Sequence, residues 1–498
     1  MRFCVFLLER LRAVAGGGGG AVCPPAPVPG APPESIFGKM KLRGFARAGA
    51  LRGALLGFGA LVLAGCAAGP QGAARLAPDP AVASMPAPRF GPARPYAPAR
   101  TNTEIAHDIM ELGFFLESGR AIPQFSRFEG PVGVALTGDV PPGARRETER
   151  LLERMRREAG LQVRLVDRAP AQVTVEFVSA RQLRAAVPQA ACFVVPNVSD
   201  WGAFRAARRS GALDWTAVAE RTRVGVFIPS DVAPQEIRDC LHEEIAQAMG
   251  PLNDLYRLPD SVFNDDNFQT VLTGFDMLAL RVWHAPELRS GMSRAQVAER
   301  LPAILARENP RGERPFRGQL PERSPRTWIN AVETALGRGG STAVRRNAAA
   351  SALAIASARG WEDARMGFSL FLVARFAPPA AGETAMAALM QAQRIFRGLP
   401  GGEVHAAHMD MHVATQALAA GQVELVLSLT ERALDAARRT ENAAFAATLM
   451  LLRAEALERR GRAAEAAALR ETAAPLAAWG FGRTDVLDRR IAEIAALR

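Results

Sequence analysis

The stretch CLHEEIAQAMGPLND (residues 240–254) combines a charged helical segment with a turn. Glu243 and Gln247 are four positions apart, so a helix projects both side chains from one face, one turn from each other. Gly250 follows three residues later, at a position where the chain can turn sharply. The segment therefore predicts a helix that begins near Pro234, ends at Gly250 and presents a polar face.

This polar face has the spacing of a metal-binding helix. In zinc peptidases with an H-E-x-x-H helix, two ligands stand at i and i+4, and the glutamate at i+1 polarises the attacking water. Counted from His242, the second ligand position is Ala246, which cannot bind a metal. Counted from Glu243, the general base is Glu244 and the second ligand position is Gln247. The second frame is the one that offers polar side chains at both ligand positions.

Counted from Glu243, the pattern E-E-x-x-Q-x-x-G-x-x-N-D resembles H-E-x-x-H-x-x-G-x-x-H-D, the extended motif of metzincin peptidases. The resemblance implies ligand positions at Glu243, Gln247 and Asn253, a general base at Glu244, and an acidic residue, Asp254, beyond them. All three histidines of the motif are replaced. The glycine of the motif is kept, and in that class it lets the chain turn so that the third ligand reaches the metal.

The replacements change the chemistry of the site. Zinc prefers imidazole and thiolate ligands, whereas Glu, Gln and Asn offer oxygens that suit calcium, magnesium or manganese. Two interpretations stay open. Glu243, Gln247 and Asn253 either tie the helix to the following loop by hydrogen bonds, as an inactive remnant of a site, or bind a divalent cation with Glu244 as catalytic base. The first interpretation expects no cofactor.

The region between residues 101 and 308 contains the stretches FFLESGR, FSRFEGPVGVALTG, EEIAQAMGPLND, DSVFNDDNF and LRSGM. These stretches resemble a bacterial family catalogued as domain of unknown function 2927, which has no established activity. Strand patterns and helix patterns alternate through this region in the order β-α-β-β-β-β-α. Together the resemblances predict an α+β, zincin-like domain with a mixed sheet over residues 101–308.

Residues 309–327 form a second Pro/Arg-rich stretch and are predicted to be a linker. From residue 328 to 498 the chain is rich in Ala and Leu and has no strand pattern, and eight or nine helices are expected. Gly421 and Gly461 mark turns between amphipathic helices of similar shape. This region resembles degenerate tetratricopeptide-type helical hairpins, which implies an all-α, solenoid-like domain that binds protein or peptide partners on its concave face.

Histidines elsewhere in the sequence offer further candidates for metal binding or catalysis. In HAAHMDMH, the residues His405, His408 and His412 fall on one helical face, a spacing that suits either a transition-metal site or a solvent-side stripe. A lone histidine such as His242 is more often satisfied by a hydrogen bond than used as a general base.

The sequence of the N-terminal region predicts a targeting signal. Residues 1–66 contain a basic segment, a short apolar run and the sequence LAGC ending at Cys66, and translation is expected to start at Met40. This order resembles the lipobox of bacterial lipoproteins, which implies lipidation of Cys66, anchoring in the cell envelope and, since Ala67 is not aspartate, an outer membrane location facing the periplasm. Residues 67–100 hold eight prolines and are predicted to be an extended tether.

The net charge and the cysteine content limit the kinds of partner and the cellular compartment that the sequence indicates. The formal net charge is +11, and more than half of the excess lies in residues 1–66, with no basic stripe interleaved with aromatics, so nucleic-acid binding is not indicated. Cys192 and Cys240 are expected to form a disulfide in an oxidising compartment, which would join the motif helix to the strand ACFVVP; two buried free thiols are the alternative.

Two functions follow from these patterns. The first is a cell-envelope lipoprotein whose peptidase-like domain is inactive and acts in binding or as a scaffold. The second is a metal-dependent hydrolase, a peptidase with oxygen ligands in a modified zincin site. The loss of all three histidines favours the first, and the metal content of the purified protein separates the two.

The lipobox generates a direct test at Cys66. Replacing the thiol by a hydroxyl in Cys66→Ser removes the atom that is acylated, so we expect unprocessed precursor and loss of the lipidated form. Membrane fractionation and mass spectrometry of the N-terminal peptide measure this. Normal processing and membrane partition of the variant would contradict a lipid anchor at Cys66.

Overall fold

The structure, a computed structural model, describes residues 78–90, 98–168, 171–337 and 340–497. The predicted signal region and Cys66 lie outside the described residues. The strands are β1 (Val132–Gly138), β2 (Val163–Val166), β3 (Val173–Val178), β4 (Phe193–Pro196) and β5 (Val224–Pro229). The helices that accompany them are α1 (Pro80–Ala83), α2 (Asn102–Phe114), α3 (Ala144–Ala159), α4 (Ala180–Ala186), α5 (Trp201–Ala207), α6 (Pro234–Met249), α7 (Gly274–Trp283) and α8 (Arg294–Glu308).

The five strands form one mixed sheet in the order β2-β1-β3-β5-β4. Strands β1, β2, β3 and β5 are mutually parallel, and only the edge strand β4 runs antiparallel to its neighbour β5. Parallel neighbours need crossover connections, and α3 supplies one between β1 and β2. The predicted mixed sheet with helices is confirmed.

Strand β5 shows why both faces of the sheet are covered. Every residue of β5 is buried, so its side chains alternate between two apolar surroundings. Val224, Val226 and Ile228 point into the main core, which also contains residues of α3, α6 and α7. Phe227 points to the opposite face, where its ring packs against Trp201 and other aromatic side chains.

The motif helix α6 follows β5 and is buried over most of its length. Pro234 occupies its first turn, where the missing N–H costs nothing, and Glu236 adds a negative charge at the positive end of the helix dipole. The helix packs against β5, β4, α3 and the late helix α16 (Ala463–Phe481). Contact on all these sides leaves little of its polar face open to solvent.

The buried guanidinium of Arg221 closes the C-terminal end of α6. It donates hydrogen bonds to the carbonyl oxygens of Gln247 and Ala248 at 2.8 Å each and to that of Gly250 at 2.5 Å. Carbonyls in the last turn of a helix lack most of their intrahelical partners and carry the negative end of its dipole, so a cation stabilises them. Burial lowers the pKa of Arg221 to about 9.

The predicted disulfide between Cys192 and Cys240 is confirmed, with Cα atoms 6.0 Å apart. Cys192 lies just before β4 and Cys240 lies in α6. The bridge therefore joins the antiparallel edge strand to the motif helix, as the sequence predicted.

Nine α-helices follow in the described part of the chain from residue 326 onward, and consecutive helices pack against each other. Gly360, Gly421 and Gly461 have φ angles of 63°, 70° and 77°, a left-handed conformation that ends a helix at little cost only in glycine. The turns at Gly421 and Gly461 lie where the sequence predicted them. The helices are α9 (Arg326–Leu336), α10 (Thr342–Ala358), α11 (Ala364–Phe376), α12 (Gly382–Gly398), α13 (Glu403–Ala419), α14 (Val423–Arg439), α15 (Ala443–Arg459), α16 (Ala463–Phe481) and α17 (Val486–Ala495).

These helices form two layers with different surroundings. Helices α11, α13 and α15 are buried around most of their circumference, whereas α10 and α12 bury one stripe and expose the rest. The two-layer arrangement agrees with the predicted all-helical region. The inner layer must be covered on its second side by something other than the outer helices.

The segment between α6 and α7 provides that cover. The ring of Phe268 lies 4.5 Å from that of His408, and the ring of Tyr256 lies 5.1 Å from that of Trp328 in an edge-to-face contact. Asp266 Oδ2 lies 2.6 Å from Nε2 of a histidine in α13. The sheet region and the helical region therefore share a buried interface within one compact unit.

Residues 78–90, which belong to the predicted tether, also contact the helical region. The backbone N–H of Asp79 donates to the carbonyl of Gly482 at 2.9 Å, and Val82 in α1 is fully buried. Among the described residues, no helix has both the length and the apolar character required to cross a membrane.

Candidate functional site

The candidate site lies where α6 ends and the chain turns toward α7. Of the predicted site residues, Glu244, Gln247 and Asn253 are between 4% and 6% exposed, and Glu243 is half-buried. Asp254, the acidic residue after the motif, is 8% exposed. The polar face predicted for the helix is therefore turned into the protein rather than toward an open cleft.

The two amides at the predicted ligand positions are engaged in internal hydrogen bonds. Gln247 Nε2 donates to Asp254 Oδ2 at 3.3 Å, which links the helix to the turn that follows it. Asn253 Nδ2 donates to the carbonyl oxygen of Glu111 in α2 at 3.1 Å, and the Asn253 backbone N–H donates to that of Leu112. In the described structure the Asn253 side chain is thus bonded to α2 and not to Glu243 or Gln247.

Carboxyl groups gather around this turn. One oxygen from each of Glu117, Asp254 and Asp265 lies within 4.8 Å of the other two. Glu243 and Glu244 each place an oxygen within the same distance of Cys192 Sγ. Because Cys192 is bonded to Cys240, its sulfur is no thiolate and cannot act as a metal ligand in this form.

Crowding and burial shift the protonation of these acids. Burial, with smaller contributions from Glu117 and Asp239, raises the pKa of Glu243 to about 8. Burial also raises the pKa values of Glu244, Asp254 and Asp265 well above their ordinary values, and the negative charges of their neighbours add to the effect. Loss of water from a charged group and repulsion between like charges both favour the neutral acid.

At this site, two buried carboxyl oxygens of the described structure have no hydrogen-bond partner, Glu244 Oε2 and Asp254 Oδ1. A buried polar atom without a partner is uncommon and costly unless a proton, water or ion satisfies it. A positive charge or a hydrogen-bond donor at these two oxygens would therefore stabilise the turn.

The residues at the motif positions do not fit a zinc ion. Zinc sites use imidazole nitrogens and thiolate sulfurs, with carboxylates as minority ligands. Here Gln247 and Asn253 turn their amide N–H groups to Asp254 and to a backbone carbonyl, and the cysteine sulfurs are joined to each other. No step of a zinc-dependent reaction can be assigned to these side chains.

His242 has a structural role. Its Nδ1 accepts a hydrogen bond from the backbone N–H of Leu272 at 3.1 Å, so the neutral ring carries its proton on Nε2. Burial lowers the pKa of His242 well below its ordinary value. A ring that is 4% exposed and bonded in this way holds the loop after the site and is not placed to take a proton from a substrate.

The expectation of a solvent-side histidine stripe in α13 is wrong. His405, His408 and His412 are between 0% and 6% exposed because α13 belongs to the inner layer. The ring of His408 stacks on that of Phe445 at 3.9 Å, and His405 pairs with Asp266. Among the described residues, the three histidines are not one of the clusters whose ligand atoms converge.

Sequence reasoning missed Glu117, Asp265 and Arg221 as parts of the site. Glu117 and Asp265 lie in FFLESGR and DSVFNDDNF, stretches that carry the family resemblance, so a signal for them was present. Arg221 stands in an unremarkable loop, and its contact with the end of α6 depends on the fold. Residues 117 and 254 are far apart in the chain, and local spacing cannot bring them together.

A comparison with protein families assigns the sheet region. Residues 102–303 match the family described as "Protein of unknown function (DUF2927)". This region is a DUF2927 domain. No curated protein matches the chain significantly, and neither does any solved structure. The DUF2927 domain contains α2, the complete sheet, α6 and α7, and it therefore holds every acid of the candidate site.

The raised pKa of Glu243 predicts a pH dependence of stability. The folded state keeps this proton up to about pH 8, whereas the unfolded state releases it near the ordinary value of 4.5, so stability falls as pH rises between the two. We expect Glu243→Gln to flatten this fall and to raise the free energy of unfolding at pH 8 by at least about 1 kcal/mol.

Urea denaturation between pH 5 and pH 8 in the presence of a chelator measures this difference. The matched control is Glu299→Gln, because the Glu299 side chain is 81% exposed. A variant at Glu243 that follows the wild-type pH profile would show that this carboxyl is ionised in the folded protein.

Proposed function

We propose that this protein is a cell-envelope lipoprotein whose DUF2927 domain is a catalytically inactive, metzincin-like domain, and that the chain acts as a binding or scaffold protein. Burial of the motif carries this proposal. Glu244, in the position of the general base, is 4% exposed, and Gln247 and Asn253 bond to the protein itself. A peptidase needs room for a substrate, a metal and a water beside these positions.

The metzincin likeness is supported by the order of elements around the motif. A fully buried strand, β5, leads directly into α6, and the chain turns at Gly250. A Cβ atom at Gly250 would lie 3.2 Å from the Leu280 side chain and 3.4 Å from that of Trp283. The glycine thus permits a close approach between the turn and α7, in agreement with the turning role that the motif implies for it.

The binding role is supported by the outer helical layer. The DUF2927 domain covers the inner layer through Phe268 and Tyr256, so a protein partner would have to reach other surfaces. Among the described residues, three of the five exposed large apolar side chains, Val344, Met390 and Leu425, stand on α10, α12 and α14. The three helices alternate along the chain, and we take these side chains as the contact points of an apolar surface of the kind that binds partners.

A metal-dependent hydrolase with oxygen ligands remains the second candidate, and one observation favours it. Glu244 Oε2 has no partner, and burial raises the pKa of this carboxyl well above its ordinary value. A buried acid with a displaced pKa is a frequent feature of catalytic sites, although ion-pair networks and inactive remnants share it.

The first test addresses catalysis. We expect the purified full chain to contain substoichiometric zinc, to show no cleavage of denatured casein above background, and to be unaffected in both measurements by Glu244→Gln. Elemental analysis and a protease assay give the readouts. Zinc bound one-to-one together with proteolysis that Glu244→Gln abolishes would establish the hydrolase instead.

The second test addresses binding. Chemical cross-linking in intact cells, followed by affinity purification, should recover partner proteins with the wild type and lose them with the triple variant Val344→Asp, Met390→Asp, Leu425→Asp, because charges on this surface oppose apolar contact. Val140→Asp is the control, since Val140 is 39% exposed and follows β1 on the DUF2927 domain. Identical partner sets for all three proteins would contradict binding through the outer layer.

A further inference from the structure

Three acids of the DUF2927 domain meet although they come from separate segments. Glu117 lies just after α2, Asp254 in the turn after α6, and Asp265 in the segment that leads to α7. One carboxylate oxygen of each lies within 4.8 Å of the other two. Like charges repel, so three carboxylates at this distance need a compensating positive charge or bound protons.

The protein does not supply that positive charge from its own side chains. None of the three carboxylates forms a salt bridge in the described part of the chain. Arg326, which lies near Glu117, donates to the backbone carbonyl of Glu117 at 3.1 Å and pairs its guanidinium with Glu333. The nearby cation is thus directed to other partners.

A second observation points to a ligand at the same place. Asp254 is 8% exposed, and its Oδ1 has no hydrogen-bond partner, while its Oδ2 accepts a hydrogen bond from the Gln247 amide. A carboxylate that is buried to this degree normally has its oxygens satisfied. The unpartnered atom belongs to one of the three acids that converge, so the missing partner should lie among them.

The spacing suits a calcium ion. Calcium–oxygen distances are about 2.3 to 2.6 Å, so two ligands on opposite sides of the ion are about 4.6 to 5.2 Å apart and closer for other angles. Three oxygens that all lie within 4.8 Å of one another fit around one such ion. Magnesium has shorter bonds, about 2.0 to 2.1 Å, and demands near-octahedral geometry, which an irregular set of carboxylates meets less well.

The site also has an approach from solvent. Glu117 is exposed and Asp265 is half-buried, whereas Asp254 closes the inner side. An ion held between them would keep water on the Glu117 side, and calcium accepts six to eight oxygen ligands of which several can be water.

We infer that Glu117, Asp254 and Asp265 form a binding site for one divalent cation of the calcium class. This site differs from the positions that the metzincin motif implies, because Glu117 and Asp265 lie outside the motif and Glu243, Gln247 and Asn253 are not its ligands. It goes beyond the proposed function, since neither an inactive peptidase-like domain nor a scaffold requires a bound ion.

The ion would connect the site to the helical region. Asp265 is followed by Asp266, which pairs with His405 in α13. The next ring along the segment, that of Phe268, packs against the ring of His405. Cross-linking α2, the turn after α6 and this segment would therefore stabilise the interface between the DUF2927 domain and the helices. Calcium should raise the thermal stability of the whole compact unit.

The test uses chelator-treated full-length protein titrated with CaCl₂, MgCl₂ or ZnCl₂, with binding followed by calorimetry and stability by thermal melting. We expect one calcium ion per chain, with Kd of about 10⁻⁵ to 10⁻³ M, and a higher melting temperature. Glu117→Gln and Asp265→Asn should each weaken calcium binding at least about tenfold, because each removes one charged ligand. Glu299→Gln should bind calcium as the wild type does.

The outcomes separate the possibilities. Because Glu117 is exposed, Glu117→Gln is expected to fold even if Asp265→Asn does not, as circular dichroism will show. Absence of saturable calcium binding, unchanged binding in Glu117→Gln, or equal affinity for magnesium would each overturn the assignment. If Glu243→Gln lost calcium binding while Glu117→Gln kept it, the assignment would also be overturned and the ion would lie at the motif. None of these results alters the protease or partner tests, so the two proposals fail independently.

Discussion

The arrangement of the site depends on how the C-terminal end of α6 is held. Arg221 donates to three acceptors there, the carbonyls of Gln247, Ala248 and Gly250. A buried cation without a carboxylate partner is costly by itself, but it is stabilised by the carbonyls of the last helical turn and by the negative end of the helix dipole. The turn that follows is consequently fixed, and with it the positions of Asn253 and Asp254.

The positions and the pKa values of the surrounding acids depend on this fixed turn. The turn docks on the end of α2, where Asn253 bonds to the Glu111 carbonyl, and this contact brings Glu117 near Asp254. On the opposite side the disulfide partner Cys192 lies against Glu243 and Glu244. Enclosure raises the cost of ionisation, and the pKa values of these carboxyls rise as a result. A face that looks like a catalytic helix in sequence is therefore a buried acidic cluster in the folded protein.

The DUF2927 domain and the helical region depend on each other for burial. The inner helices carry apolar residues around most of their circumference, and they would expose them without the segment that contains Tyr256 and Phe268. At the N-terminal end of α6, Gln235 exchanges hydrogen bonds with Asn442 and the backbone of Ala444, and Arg238 donates to the carbonyl of Glu441. The helical region is thus packed against the domain by both apolar and polar contacts, which limits the surfaces that remain for a partner.

Local sequence patterns determined most of the secondary structure of this protein. Periodicity and turn residues predicted the five strands, the helix from Pro234 to Gly250, the helical region and the glycine turns, because these features depend on residues near one another in the chain. The expectation of an export signal, together with the cysteine count, predicted the disulfide between Cys192 and Cys240. Tertiary structure alone decided that the motif face is buried, that the histidines of α13 lie in a core, and that Glu117, Asp254 and Asp265 converge. Those outcomes depend on contacts between segments far apart in the chain, and helical or strand spacing carries no information about which distant segment will cover a given face.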